Sequence, residues 1–122
     1  MSVSRWVFKL SSYHDIILPT LRQLTKLRND QERRKFLSSC KRMTIYSICE
    51  ICRNIVRGNI PISTFRKRQL KKYREHIREL SKKSISLKKR RKILNQHGGF
   101  LPGLLLPAVT ILAQIAAEKL LS

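Results

Sequence analysis

A chain of 122 residues supports one domain with a modest core, and its 27 Lys and Arg against 7 Asp and Glu give a formal charge of +20. Such self-repulsion disfavours the compact state unless a polyanion neutralises it, so nucleic acid is the first candidate partner, an anionic membrane surface the second and an acidic protein a distant third. A hydrophobic share of 42% excludes a wholly disordered basic tail, and three cysteines without an even, spaced framework (Cys40, Cys49, Cys52) exclude a secreted disulfide scaffold in favour of a reducing compartment.

Glycine and proline are scarce, at four each, and strand punctuation is thin, so the expected fold is all-α: a small antiparallel helical hairpin or bundle with a basic helix and an apolar C-terminal helix. Three regions organise it: an N-terminal segment over 1–29, a basic helical region over 30–97 and an apolar tail over 98–122. No internal repeat is present.

In the first region, Trp6, Phe8 and Leu10 alternate as in a short extended segment, and Arg5 and Lys9 interrupt the apolar run that a secretory signal needs. Ile16, Ile17, Leu21, Leu24 and Leu27 then suggest a short helix, with Pro19 marking a boundary or a first turn. Asn29 and Asp30 are helix-start residues, and Glu32 places a negative charge where the helix dipole favours it. Phe36, Leu37, Cys40, Met43, Ile48, Cys52 and Ile55 follow at mostly three- and four-residue steps, which predicts one helix from about Asp30 to Val56 ended by Gly58.

The connector over 58–63 is a tight turn, and Ser63 is the N-cap of a helix running from about Thr64 to Leu80. Phe65, Leu70, Tyr73, Ile77 and Leu80 form its apolar stripe. The two stripes would pack as an antiparallel pair. Ser84 or Ser86 caps a further short helix through Leu94, which Gly98-Gly99 breaks. Pro107 occupies the first turn of a final helix reaching Leu121.

The chemistry concentrates between positions 66 and 92. Fourteen basic residues lie there: Arg66, Lys67, Arg68, Lys71, Lys72, Arg74, Arg78, Lys82, Lys83, Lys88, Lys89, Arg90, Arg91 and Lys92. Only Glu75 and Glu79 oppose them, leaving a local charge of 14 − 2 = +12. Each cation near a phosphate releases a condensed counterion, and that entropy drives binding. Phe65 and Tyr73 are the only aromatics nearby and fall on the apolar stripe. They read as core, so little sequence specificity and no single-strand stacking are expected. Lys88 to Lys92 also suit a nuclear-localisation signal. A helix-turn-helix over 30–80 ranks below phosphate binding, because the second helix carries charge where base-reading Asn or Gln would stand, apart from Gln69.

No paired acid and base, nucleophile triad or phosphate loop is present, so the chain reads as a binding protein rather than an enzyme, with no cofactor. Cys49-Glu50-Ile51-Cys52 has the spacing of half a zinc site without a second pair, and buried apolar cysteines explain it better. His76 falls in the basic face. Glu75 and Glu79 lie one helical turn from Lys71, Lys72, Arg78, Lys82 and Lys83 and read as surface ion pairs.

The stretch over 88–107, with Lys-Lys-Arg-Arg-Lys, then Gly98-Gly99-Phe100, then a proline-spaced apolar run, resembles the precursor of the small DNA-condensing core protein (protein X, or mu) of adenoviruses. It is similar still more to the versions found in Polinton (Maverick) elements and adintoviruses. Those share Gly-Asn-Ile-Pro-Ile-Ser at 58–63, a basic helix, Ser-Leu-Lys-Lys at 86–89 and Gly-Gly-Phe, and the likeness covers about 45–121. It implies a virion core protein that condenses double-stranded viral DNA in the host nucleus. It also implies maturation by a viral cysteine protease cutting after Gly99, at Gly98-Gly99-Phe100. Two features depart from the pattern. Gln96 stands four positions before the cut, where that protease prefers an aliphatic residue, and the body is Lys-rich and longer than the compact adenoviral peptide.

Residues 100–117 carry no charge. This tail has three readings: a membrane span at the lower length limit, a membrane-disturbing segment, or a helix packed on the preceding helices or on a partner such as a capsid protein. Packing or self-association is preferred, because Pro102, Gly103 and Pro107 shorten the continuous span. The alternative function is a membrane-active or membrane-anchored basic protein with Phe100–Leu121 in lipid.

Overall fold

A computed structural model of the chain describes residues 14–27 and 29–121, with side chains described over 17–27 and 29–114. The extended reading of Trp6 to Leu10 lies outside the described residues. Every regular element among the described residues is helical: α1 (His14–Lys26), α2 (Asp30–Ser39), α3 (Arg42–Val56), α4 (Thr64–Leu70), a 3-10 turn (Lys71–Tyr73), α5 (Arg74–Ser81), α6 (Leu87–His97), a second 3-10 turn (Gly98–Phe100) and α7 (Leu101–Leu121). The all-α class holds.

Four helix boundaries follow from single named residues. Asn29 Oδ1 accepts from the Glu32 N–H at 2.8 Å, Ser63 Oγ from Arg66 at 3.2 Å and Ser86 Oγ from Lys89 at 3.2 Å, each satisfying an orphan donor of a first turn. At the end of α3, Gly58 adopts φ +76. There the Gly58 N–H reaches the Ile55 carbonyl (3.1 Å) and the Asn59 N–H reaches the Asn54 carbonyl (2.8 Å). That is a Schellman closure, which needs a left-handed residue at this one position. The Asn59 side chain adds a bond to Asn54 Oδ1 at 2.9 Å.

The single helix expected from Asp30 to Val56 is two. Cys40 and Lys41 are both extended (ψ 142 and 156), which separates α2 from α3. Ser38 and Ser39 turn their hydroxyls back onto the Lys35 and Phe36 carbonyls, a local bond that competes with helix continuation. At the break Arg91 donates to the Cys40 carbonyl and, alongside the Cys40 N–H, to the Leu37 carbonyl. The helix expected from Thr64 to Leu80 is likewise divided by the 3-10 turn at Lys71–Tyr73.

α3 is the central helix. It packs against α1, α5, α6 and α7, and nine of its fifteen residues are buried. α2 packs on α6, α4 on α7, and the most extensive pairing joins α1 to α7. Ile17, Leu18, Leu21 and Leu24 from α1 meet Leu101, Leu104, Leu105, Ala108 and Leu112 from α7 in one continuous core.

Two proline expectations need correction. Pro19 lies inside α1, beyond its first turn, and is exposed, so the missing N–H costs one bond on the solvent side. The last helix begins six residues before Pro107, at Leu101. Pro102 takes the first-turn position and Pro107 sits inside. Gly98-Gly99 does not separate a tail from a body. It forms a tight turn that feeds α6 directly into α7, and Phe100, Leu101, Leu104, Leu105, Ala108, Val109 and Leu112 are core.

Candidate nucleic-acid interface

The fourteen candidate cations divide by what their side chains do. Arg90 is 3% exposed. Its Nε donates to the Ile85 carbonyl (3.2 Å), its Nη2 to the carbonyls of Lys82 (3.1 Å) and Lys83 (3.3 Å), and its guanidinium lies 5.1 Å from the Tyr46 ring centre. It ties the α5–α6 connector down and does not face solvent. Arg91 is half-buried and caps α2 through Leu37 and Cys40. Both therefore leave the set available to phosphate. The guanidinium fork explains why arginines hold these places: it satisfies two or three carbonyls at once without ever losing its charge.

Lys82 and Lys89 are exposed but share one carboxylate, Glu79, at 3.2 and 2.9 Å. Hydrogen bonds from Lys89 and Lys82 hold the Glu79 carboxyl below its ordinary range. Glu75 makes no ion pair among the described residues, so the expected pairing of both glutamates narrows to one. Ten cations remain: Arg66, Lys67, Arg68, Lys71, Lys72, Arg74, Arg78, Lys83, Lys88 and Lys92. Arg66 is half-buried and the other nine are exposed, and none makes an ion pair among the described residues. They are spread over α4, its 3-10 turn, α5, the connector and α6.

Lys67, Arg74 and Arg78 line a groove of about 270 Å³, and Arg66, Arg68, Lys71, Lys72, Lys88 and Lys92 border two open grooves of greater volume. The larger, about 780 Å³, runs between α4 and the start of α7. It is lined by Arg66, Arg68, Lys71, Lys72, Gln69, Tyr73, Gly99, Phe100, Pro102 and Gly103, without a carboxylate. Tyr73 is half-buried there, tilted 53° against Phe100 with ring centres 5.6 Å apart, and Lys72 Nζ lies 5.1 Å from its ring. The smaller, about 560 Å³, lies between α5 and α6 and mixes Glu75 and Glu79 with Lys88, Lys89 and Lys92. On its wall His76 and His97 stack face to face at 3.9 Å.

Phe65 is misassigned by its sequence position. It is 66% exposed on α4, not part of the core. The signal was in the spacing: five residues separate it from Leu70, which places the two on different sides of a helix. Tyr73 does pack on the core, as its place in the stripe implied.

The glycine pair has a packing role. A Cβ on Gly98, which is buried, would lie 3.0 Å from Arg33 Nε. One on Gly99 would lie 3.2 Å from the Tyr73 hydroxyl oxygen. Phe100, at the far side of the Gly99–Phe100 peptide bond, is 2% exposed. The expected cleavage bond is thus folded into a 3-10 turn with its following side chain in the core.

Cys49 and Cys52 are buried, and burial pushes both thiols up, Cys52 strongly. No group of three or more His, Cys, Asp or Glu side chains among the described residues is placed to hold a metal ion. Searches against protein-family models, curated proteins and solved structures return no match for this chain.

Proposed function

We propose that the chain is a virion core protein of an adenovirus-like virus or Polinton-type element, acting by binding rather than catalysis. On this reading it condenses double-stranded viral DNA without sequence specificity in the host nucleus and the particle. The observation that carries the reading is the set of ten unpaired cations on α4 to α6. Phosphate is the ligand that such a set suits, since the cations border open grooves and no array of base-reading amides accompanies them. The likeness of residues 45–121 to adenoviral and Polinton core-protein precursors supplies the double-stranded DNA, the virion and the cut after Gly99.

A membrane role is the second reading. One segment, Leu87–Gln114, is long and apolar enough to cross a membrane by length and composition, although 44% of its most apolar window is buried inside the fold. Insertion would require α7 to leave α1 and α3.

The deciding measurement is binding of the full chain to random-sequence duplex DNA across a salt series, with anionic liposomes as competitor. Six to ten phosphate contacts lower affinity roughly 10³–10⁵-fold between about 50 and 200 mM salt. Weak DNA binding together with transfer to liposomes would favour the membrane reading. Full-length protein is needed, because deleting the apolar segment removes seven buried residues from the core.

A further inference from the structure

Phosphate neutralisation needs cations and no exposed ring, yet Phe65 presents one. Its ring is 66% exposed and makes no aromatic contact among the described residues. A single exposed apolar side chain is ordinary. What sets this one apart is its surroundings. Arg66 and Lys67 follow it directly, and Arg68 and Gln69 lie three and four positions on, where an α-helix brings them alongside the ring. Arg68 and Gln69 are also walls of the larger groove, so the ring stands one helical turn from the mouth of a carboxylate-free cationic trough. The trough's volume of about 780 Å³ falls in the range that holds small organic ligands, roughly 300–1,000 Å³. Gly99 keeps the Tyr73 hydroxyl uncovered at its floor, since a Cβ there would sit 3.2 Å from it.

A cationic channel that follows a backbone, joined to a ring on which a base can lie, is the chemistry of single-strand recognition. Stacking tolerates any base, because every base has a π-face. A duplex keeps its bases stacked on one another and has none to offer.

We propose that Phe65 and the groove behind it form a site for unpaired nucleic acid, in which a base stacks on the Phe65 ring and the adjoining phosphates enter the trough beside Arg66, Arg68 and Lys72. The site deepens the phosphate-binding reading and rests on it. Duplex DNA engages the cations alone, and unpaired strands engage the cations and the ring.

The test uses the full-length protein and two fluorescent probes with equal phosphate counts, oligothymidine and a random-sequence hairpin duplex, followed by anisotropy at several salt concentrations. Phe65→Ala and Phe65→Leu should weaken oligothymidine binding roughly 5–150-fold, the range that loss of one stacked base gives, with duplex affinity unchanged. Phe65→Trp should restore it. The Leu variant separates stacking from mere apolarity, and circular dichroism at wild-type intensity secures the fold of each variant. Unchanged oligothymidine binding in the Ala and Leu variants overturns the proposal. So does an equal loss on both probes, or a Phe65-dependent dimer in sedimentation without nucleic acid, which would make the ring a protein contact. Absence of duplex binding at any salt would instead sink the condensation reading, and oligothymidine binding alone would then judge this site.

Discussion

Arg91 lies 51 residues from Cys40 in sequence and donates from Nη2 to its backbone carbonyl at 2.9 Å. A second bond from Nη1 reaches the Leu37 carbonyl at 3.2 Å, so one guanidinium satisfies the last turn of α2 from the side of α6. Beside it, Arg90 does the same for the connector between α5 and α6. Two adjacent members of the most basic pentad in the chain are therefore structural, while Lys88 and Lys92 on the same helix are exposed.

The consequence is a split between stability and salt dependence. Arg91→Ala leaves the half-buried Cys40 carbonyl without this donor, while the Leu37 carbonyl keeps the Cys40 N–H, and should cost roughly 1–3 kcal/mol; Arg90→Ala, which removes the donor to three carbonyls, should cost roughly 2–4 kcal/mol. Arg90→Lys should not restore it, because an ammonium cannot span the fork. Lys88→Ala and Lys92→Ala should leave thermal stability unchanged and each lower the salt slope of duplex binding by about 0.9. Denaturation curves and salt titrations on the five variants check this. Arg90→Ala behaving like Lys92→Ala would refute the division.

That division marks where sequence reading stops. The caps at Asn29, Ser63 and Ser86 and the reversal at Gly58 were legible, because each depends on one side chain and its own next few residues. The break at Cys40 was not, because Met43 and Ile48 carry the apolar pattern of Phe36 and Leu37 across it, while the arginine that satisfies the broken end lies in α6. Nor could a run of like charges disclose that Arg90 faces inward. The carbonyls it serves converge only once the connector over 82–86 has folded back. The tail's place in the core was open for a related reason: its composition suits a membrane, a partner or α1 equally, and only the apolar face of α1 decides among them.

Glu79 couples the basic surface to pH. Hydrogen bonds from Lys89 and Lys82 depress its folded pKa, so its contribution is present above the ordinary carboxylate value of 4.5 and is lost as pH falls through the lower folded value. The group is half-buried at the surface and screened by solvent, so the effect on stability is small. Comparing wild type with Glu79→Gln, the melting-temperature difference should be present near pH 6 and fade as pH falls well below the ordinary value of 4.5. Glu79→Gln should also release Lys82 and Lys89 and tighten duplex binding at low salt. A looser complex would mean that the carboxylate orders those lysines for phosphate rather than competing with it.

The three thiols should react in an order set by access. Cys40 is half-buried at the α2–α3 break, whereas Cys49 and Cys52 are buried in α3. Desolvation raises all three, so the thiols stay protonated and slow near neutrality. Alkylation followed by mass spectrometry should modify Cys40 first, with Cys49 and Cys52 modified only on unfolding. Because the folded thiols are raised, stability is complete below their ordinary value of 9.0 and declines as pH rises above it. Early labelling of Cys52 would mean that α3 is not the central helix in solution.

Cleavage after Gly99 and retention of this fold are mutually exclusive. A protease groove takes extended backbone, but the bond lies in a 3-10 turn with Gly98 against Arg33 and Phe100 in the core. Opening it lifts seven buried apolar residues, Phe100, Leu101, Leu104, Leu105, Ala108, Val109 and Leu112, off α1 and α3. At roughly 1.5–3 kcal/mol for each larger side chain the gross loss is about 10–20 kcal/mol, at or above the net stability of about 5–15 kcal/mol of an ordinary domain. The folded chain should therefore resist the cut. Mild denaturant, or Phe100→Ala, should accelerate it at least tenfold, because the rate follows the population of the open form. A chain ending at Gly99 should lose cooperative melting yet keep binding duplex DNA, since the ten cations without an ion pair all precede the cut. Limited proteolysis and calorimetry on the intact and shortened chains decide it. A cooperative melt in the shortened chain would show that α7 is dispensable to the fold, and rapid native cleavage would show that the turn opens freely.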